Sequence, residues 1–163
     1  MFSPEHLHAL ARDAVKTHPE NMTAIIPYIV SNLTAEYPSS VIALNPDTSE
    51  WMFNNAGGAM GAMYLIHASI TEYLIIFGTP LGTEGHSGVH SADDYFMILD
   101  GEEWAFNPPS LEREVYRPGD LNLMPRGQVK QYKVHERCFA LEYARGKCIR
   151  FVSTPCPLPL AKS

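Results

Sequence analysis

From Trp51 onward the texture of the chain changes: Ala56-Gly57-Gly58-Ala59 opens a stretch of short, β-prone runs cut by glycine and proline, and all 11 glycines fall between residues 57 and 146. Such punctuation marks turns between strands, so this stretch reads as all-β. Candidate strands are 62–66, 71–78, 95–100, 102–106, 114–116, 121–124, 129–134 and 138–143. Short strands at that spacing predict a barrel or jelly roll, because closure removes the exposed edges that open sheets carry.

The first fifty residues follow another rule. Leu7, Leu10, Ala11 and Val15 recur at helical spacing behind Ser3-Pro4-Glu5-His6, a cap followed by a proline at the first helical position. Ile25, Ile26, Ile29, Val30 and Leu33 repeat the pattern over 22–37, which stops at Pro38. The expected architecture is mainly β, a cupin-like barrel preceded by two N-terminal helices. Residues 1–40 pack on the barrel, 41–146 form it around a ligand pocket, and 147–163, with Pro155, Pro157 and Pro159, is an irregular tail.

Several classes of function are disfavoured at once. Twelve Lys and Arg against 18 Asp and Glu leave a formal charge of -6 without a basic stripe, so nucleic acid is not an expected partner. Cys138, Cys148 and Cys156 lack CxxC spacing and cannot all pair within one chain, which reads as reduced or incidental thiols. No apolar run approaches the roughly 18 to 20 residues needed to cross a bilayer, so the expectation is a soluble or peripheral protein.

Residues 85–94, Gly-His-Ser-Gly-Val-His-Ser-Ala-Asp-Asp, resemble the first cupin motif: Asp94 and Gly101 keep its carboxylate-to-glycine spacing, but His86 and His90 are four apart rather than two. Gly119, Pro125 and Gly127 fit the second motif, and Lys130 stands where that motif has its third histidine. An ammonium is a poor ligand, since divalent sites need neutral imidazole or anionic donors. The reading is therefore a barrel with no metal and no cofactor, with a His86/His90/Asp94 metal site as the lesser alternative.

Two segments are more specific: 50–63, Glu-Trp-Met-Phe-Asn-Asn-Ala-Gly-Gly-Ala-Met-Gly-Ala-Met, and 67–79, His-Ala-Ser-Ile-Thr-Glu-Tyr-Leu-Ile-Ile-Phe-Gly-Thr. With 82–88, 115–119 and 140–146 they resemble the fungal C-8 sterol isomerase and sigma-1 receptor family, over about residues 22 to 146. The resemblance implies a trimeric cupin-like barrel around an elongated apolar pocket, anchored in the endoplasmic reticulum membrane by a spanning helix that is not expected among these 163 residues. It implies an isomerase that shifts a ring double bond from C8 to C7 by protonation at C9, a carbocation at C8 and loss of a C7 proton, without a redox cofactor. A terpenoid isomerase or cyclase of specialised metabolism, and a non-enzymatic amine or sterol binder, are the alternatives. Glu50-Trp51-Met52-Phe53-Asn54-Asn55 and Ala92-Asp93-Asp94-Tyr95-Phe96 match isomerases better than the receptor.

By the same resemblance Glu142, in the last barrel strand, binds cationic amines that mimic the carbocation. Strand alternation puts Cys138 and Ala140 on its face, leaving room beside the carboxylate. The receptor's second carboxylate falls on Phe96 here, a departure; Asp94, two residues earlier on that face, is the expected partner, with Asp93 in reserve. Which of the pair is acid and which base stays open, because coupled carboxyls titrate as a unit. The resemblance also implies that Met63, Leu65, Tyr73, Ile75 and Phe77 line the pocket, which period two would set on one face of successive strands, with Tyr73 suited to holding a carboxylate through its hydroxyl; His67 and Glu72 serve either the substrate or a subunit contact.

Overall fold

In the computed structural model, which describes residues 2–42, 51–56, 58–89 and 91–146, two helices precede a sheet of eight strands. Helix α1 (Pro4–Thr17) starts at Ser3, whose hydroxyl accepts the His6 N–H at 3.3 Å, and Pro4 sits where a missing N–H costs no helical bond. Asn21 caps α2 (Met22–Glu36) in the same way, accepting from Ala24 N at 3.2 Å. Pro27 removes one backbone donor from α2 without ending it, and the helix stops before Pro38, which disfavours a helical residue in front of it. No helix among the described residues is long and apolar enough to cross a membrane.

The strands are β1 (Met52–Ala56), β2 (Ala59–Ala68), β3 (Glu72–Thr79), β4 (Thr83–His86), β5 (Ala92–Phe106), β6 (Arg113–Tyr116), β7 (Leu121–Met124) and β8 (Gln131–Gly146). They pair antiparallel in the order β1-β2-β3-β8-β5-β6, with β4 on the first part of β8 and β7 on the first part of β5. This is the mainly β, cupin-like jelly roll expected from the sequence. The expectation placed two strands at 95–100 and 102–106 and two more at 129–134 and 138–143, whereas β5 and β8 are each continuous. Their shared ladder runs from Ala92↔Gly146 to Phe106↔Gln131 and shifts register at Ile98/Asp100 and Gly101/Glu103. Bulges bend both strands there, so each contributes to two walls. Gly101 is required at the bend: its φ is +80° and a Cβ would lie 2.0 Å from the Arg137 carbonyl oxygen. Strands β1 and β4 were not expected, since paired asparagines and short Gly-containing runs carry little β signal.

Period two sorts the sheet into two faces. Tyr64, Ile66, Leu74, Ile76, Met97, Leu99, Leu141 and Tyr143 form one face and pack against Leu7, Leu10, Ile25, Ile29 and Leu33 of the helices, which makes the main core. The other face encloses the barrel lumen. There Met63, Leu65, Tyr73, Ile75, Phe77, Phe96 and Ala144 pack together, and Ile98, Val134, Cys138 and Ala140 continue the lining. The tail, 147–163, and His90 lie outside the described residues.

Candidate functional site

Sheet register builds the centre of the lumen from three strands. On β8, Glu142 pairs with Ile75 of β3 on one side and Phe96 of β5 on the other; Ala144 pairs with Tyr73 and Asp94. Tyr73 and Asp94 therefore stand diagonally to Glu142 across the small Ala144, close enough for long side chains to meet. The Tyr73 hydroxyl donates to Glu142 Oε1 at 2.5 Å. Asp94 Oδ1 is the one buried side-chain polar atom among the described residues with no hydrogen-bond partner. Phe77 and Phe96, with ring centroids 6.0 Å apart, add apolar walls.

Electrostatics follow from this packing. Burial drives the Asp94 carboxyl well above its ordinary range, and the neighbouring Glu142 charge pushes it further. Burial also raises Glu142, but the Tyr73 hydrogen bond works the other way by stabilising its carboxylate. Although Glu142 is only half-buried by area, its register directs it into the lumen, so its exposure is to the ligand space rather than to the outer surface. Two carboxyls that cannot both ionise at low cost, Glu142 with a phenolic donor and Asp94 with a backbone N–H from Tyr95 but a bare Oδ1, are suited to sharing a proton.

A second polar group lies further along the lumen. Lys130 Nζ donates to Glu114 Oε2 at 2.6 Å, to Asn122 Oδ1 at 2.9 Å and weakly to the Tyr116 oxygen at 3.4 Å. Asn122 Nδ2 in turn donates to Glu103 Oε2 at 3.0 Å. Burial lifts Glu103 to about 7, against the opposing effects of Asn122 and Lys130. Tyr132 is raised too, first by burial and then by the charges of Glu142, Glu103 and Asp94. Lys130 thus occupies the expected metal-ligand position as an ion-paired donor.

Most of the residues picked from sequence converge on this lumen: Glu142, Asp94, Tyr73, Met63, Leu65, Ile75 and Phe77. Three do not. Asp93 points to the other face and accepts Arg126 N at 2.9 Å, closing a turn. A bulge between Leu65 and His67 carries His67 to the helix side, where one ring nitrogen meets the Val41 oxygen at 2.7 Å. Glu72, also on that side, accepts the Tyr143 hydroxyl at 2.6 Å. His86 is exposed and accepts Gly88 N at 3.2 Å, apart from Asp94, and no group of three or more potential metal ligands occurs among the described residues. Glu103, Asn122 and Tyr132 were missed; Lys130 at a cupin-ligand position was the one signal pointing to them.

The family described as "ERG2 and Sigma1 receptor like protein" matches residues 1–153. The C-8 sterol isomerase erg2 of Aspergillus fumigatus is 57% identical over 146 residues, covering 90% of this chain and 60% of that protein. The C-8 sterol isomerase of Pyricularia oryzae is 56% identical, with 90% and 65% covered. Sigma non-opioid intracellular receptor 1 of Gallus gallus is 34% identical, with 89% and 63% covered. The chain therefore spans about 60% of the length of the curated relatives it matches. Among solved structures, the polyketide cyclase RemF from Streptomyces resistomycificus superposes with a TM-score of 0.52 at 16% identity, over 64% of this chain and 80% of that one, a likeness of fold alone. With the family's pattern running through almost the whole sequence, this chain belongs to the ERG2 and Sigma1 receptor like protein family.

Proposed function

We propose that this chain carries C-8 sterol isomerase chemistry, moving a ring double bond from C8 to C7 with Asp94 as the acid and Glu142 as the base. The observation that carries the reading is the pairing of an unpartnered, buried Asp94 oxygen with a Tyr73-bound Glu142 inside an apolar barrel. Relatives named C-8 sterol isomerase, at 57% and 56% identity, favour it over the receptor-like alternative at 34%.

The steps balance without a cofactor. Asp94 delivers its proton to C9, and the electron pair of the C8–C9 double bond forms the new C9–H bond, leaving a cation at C8. The Glu142 carboxylate, whose ionised form the Tyr73 hydrogen bond favours against burial, faces that cation and then removes the C7 proton, whose bonding electrons close the C7–C8 double bond. The proton passes from Glu142 back to Asp94, or through solvent, to reset the pair. The low dielectric of the lumen strengthens the carboxylate–cation attraction, and the Phe77 and Phe96 rings offer π faces to the same charge. Cationic amines would bind Glu142 as mimics of that cation. A trimer working at the endoplasmic reticulum membrane is the setting we infer from kinship.

The test is incubation with a Δ8 sterol in deuterated water, followed by mass spectrometry. A Δ7 product carrying deuterium, absent for Glu142→Gln, is expected. Saturable amine binding without conversion would move the assignment to a binder, and Δ7 product from Glu142→Gln would remove Glu142 from the mechanism.

A further inference from the structure

We propose that the Lys130–Asn122–Glu103 chain is the seat of the substrate's hydroxyl group, so that it fixes which end of an apolar polycycle enters the barrel and which ring meets the carboxyl pair. The inference rests on the isomerase reading above and adds residues that do not take part in its proton transfers.

Glu103, Asn122 and Lys130 are buried to 4%, 7% and 7% exposure, and Glu103 pairs in the sheet with Val134, which packs with Ile98, Cys138 and Ala140. Buried ion pairs of this kind are commonly no better than apolar residues of the same volume, so their presence asks for another reason. Their connectivity gives direction to the chain. The three Lys130 protons go to Glu114, Asn122 and Tyr116, which fixes the Asn122 amide with its oxygen toward the lysine and its nitrogen toward Glu103. Glu103 receives Asn122 on Oε2, and no donor among the described residues reaches its Oε1. The chain thus ends on an acceptor that no protein donor among the described residues meets, which suits a ligand O–H.

Register supplies the distance. Phe96 pairs with Glu142 on one side and with Asn122 on the other, so all three side chains stand in one row on the lumen face. Two strand spacings separate the backbone of Glu142 from that of Asn122, about 10 Å. A sterol carries a single hydroxyl, on ring A, with the reacting C7, C8 and C9 atoms one ring further on. An alcohol held at Glu103 therefore brings ring B beneath Glu142 and Asp94, while reversed entry would put an alkyl chain against a lysine and a glutamate.

The experiment compares a 3β-hydroxy Δ8 sterol with its 3-O-methyl ether, in turnover and in equilibrium binding followed by intrinsic fluorescence, for the wild type and for Glu103→Gln and Glu103→Leu. The wild type is expected to prefer the alcohol by roughly tenfold to a hundredfold, because the ether has no proton to donate to the Glu103 acceptor. Glu103→Leu is expected to lose most of that preference, the KM for the alcohol rising toward that for the ether; circular dichroism and cooperative thermal unfolding verify that the variant folds. Glu103→Gln, which retains an acceptor, should fall between. An unchanged preference in Glu103→Leu would overturn the proposal. Binding separates it from the reading it rests on: alcohol preference that depends on Glu103 without any turnover would keep the anchor and remove the isomerase.

Discussion

Glu103→Gln should stabilise the protein at alkaline pH and have much less effect in acid, and the size of the difference follows from the site. The folded-state pKa of Glu103 is lifted from 4.5 to about 7, with burial as the leading cause. A carboxyl raised in this way binds more protons folded than unfolded, so stability is fully present below 4.5 and is lost as pH rises through about 7. At about 1.4 kcal/mol per pH unit, the linkage costs the native state about 1 kcal/mol at pH 5 and about 3 kcal/mol at pH 8. Glutamine has nearly the same shape, still accepts from Asn122, and has no charge to bury. The stability gap between variant and wild type should therefore widen by about 2 kcal/mol from pH 5 to pH 8, or several degrees in Tm for a chain of this size. Asp94 and Glu142 are raised in the same sense, so both proteins lose stability with rising pH, the variant less steeply. Urea denaturation at the two pH values, with equal m-values, measures the gap. A gap that is constant with pH, or that narrows, would refute the claim that Glu103 is held near neutrality by burial.

Two further changes test other parts of the argument. Tyr73→Phe removes the 2.5 Å bond that favours ionised Glu142, so the acidic limb of kcat/KM should move to higher pH. A hydrogen bond to a charged group is worth about 1.5–3 kcal/mol, which predicts a displacement of about one to two pH units; an unmoved limb would mean that ionised Glu142 is not required. Gly101→Ala forces a Cβ to 2.0 Å from the Arg137 carbonyl at a φ of +80°. Strain of about 1–3 kcal/mol or more should appear as a fall in Tm of several degrees, and a wild-type Tm would place the bend elsewhere.

Local rules carried the sequence reading as far as they apply. Caps and a 3.6 period located both helices to within a residue or two, and the family resemblance named Tyr73, Ile75, Phe77 and Glu142, which alternation on β3 and β8 is consistent with setting on one face. Counting two residues back from Phe96 chose Asp94 over Asp93, and the structure has that parity. Alternation failed at His67 because one bulge reverses every side chain after it, and nothing in Leu65-Ile66-His67 signals a bulge. The Glu103 chain was hidden for another reason: its members come from β5, β7 and the turn before β8, and only three-dimensional closure brings residues 103, 122 and 130 together. Lys130 could be read as a broken metal motif, but its partners could not.

The same interior explains why the fold tolerates an arrangement that works against its stability. Asp94, Glu103 and Glu142 are all raised by burial, and within the lumen the Lys130 ammonium is tied to Glu114 and Asn122 rather than to the central pair. A barrel selected only for stability would fill these positions with leucine or valine, as the helix-facing side does with Leu74, Ile76, Leu99 and Leu141. Protonating an alkene, however, needs a carboxylic acid that stays protonated where water would otherwise ionise it, and a nearby anion for the cation that follows. In the proposed mechanism the lumen meets both conditions by surrounding its central carboxyls with Ile75, Phe96 and Ala144 and giving a phenolic donor to Glu142 but not to Asp94. The pH-dependent loss of stability predicted for Glu103 and the proton-holding capacity of Asp94 have one physical origin, the desolvation of carboxyls inside a barrel, so altering that interior should move stability and catalysis together.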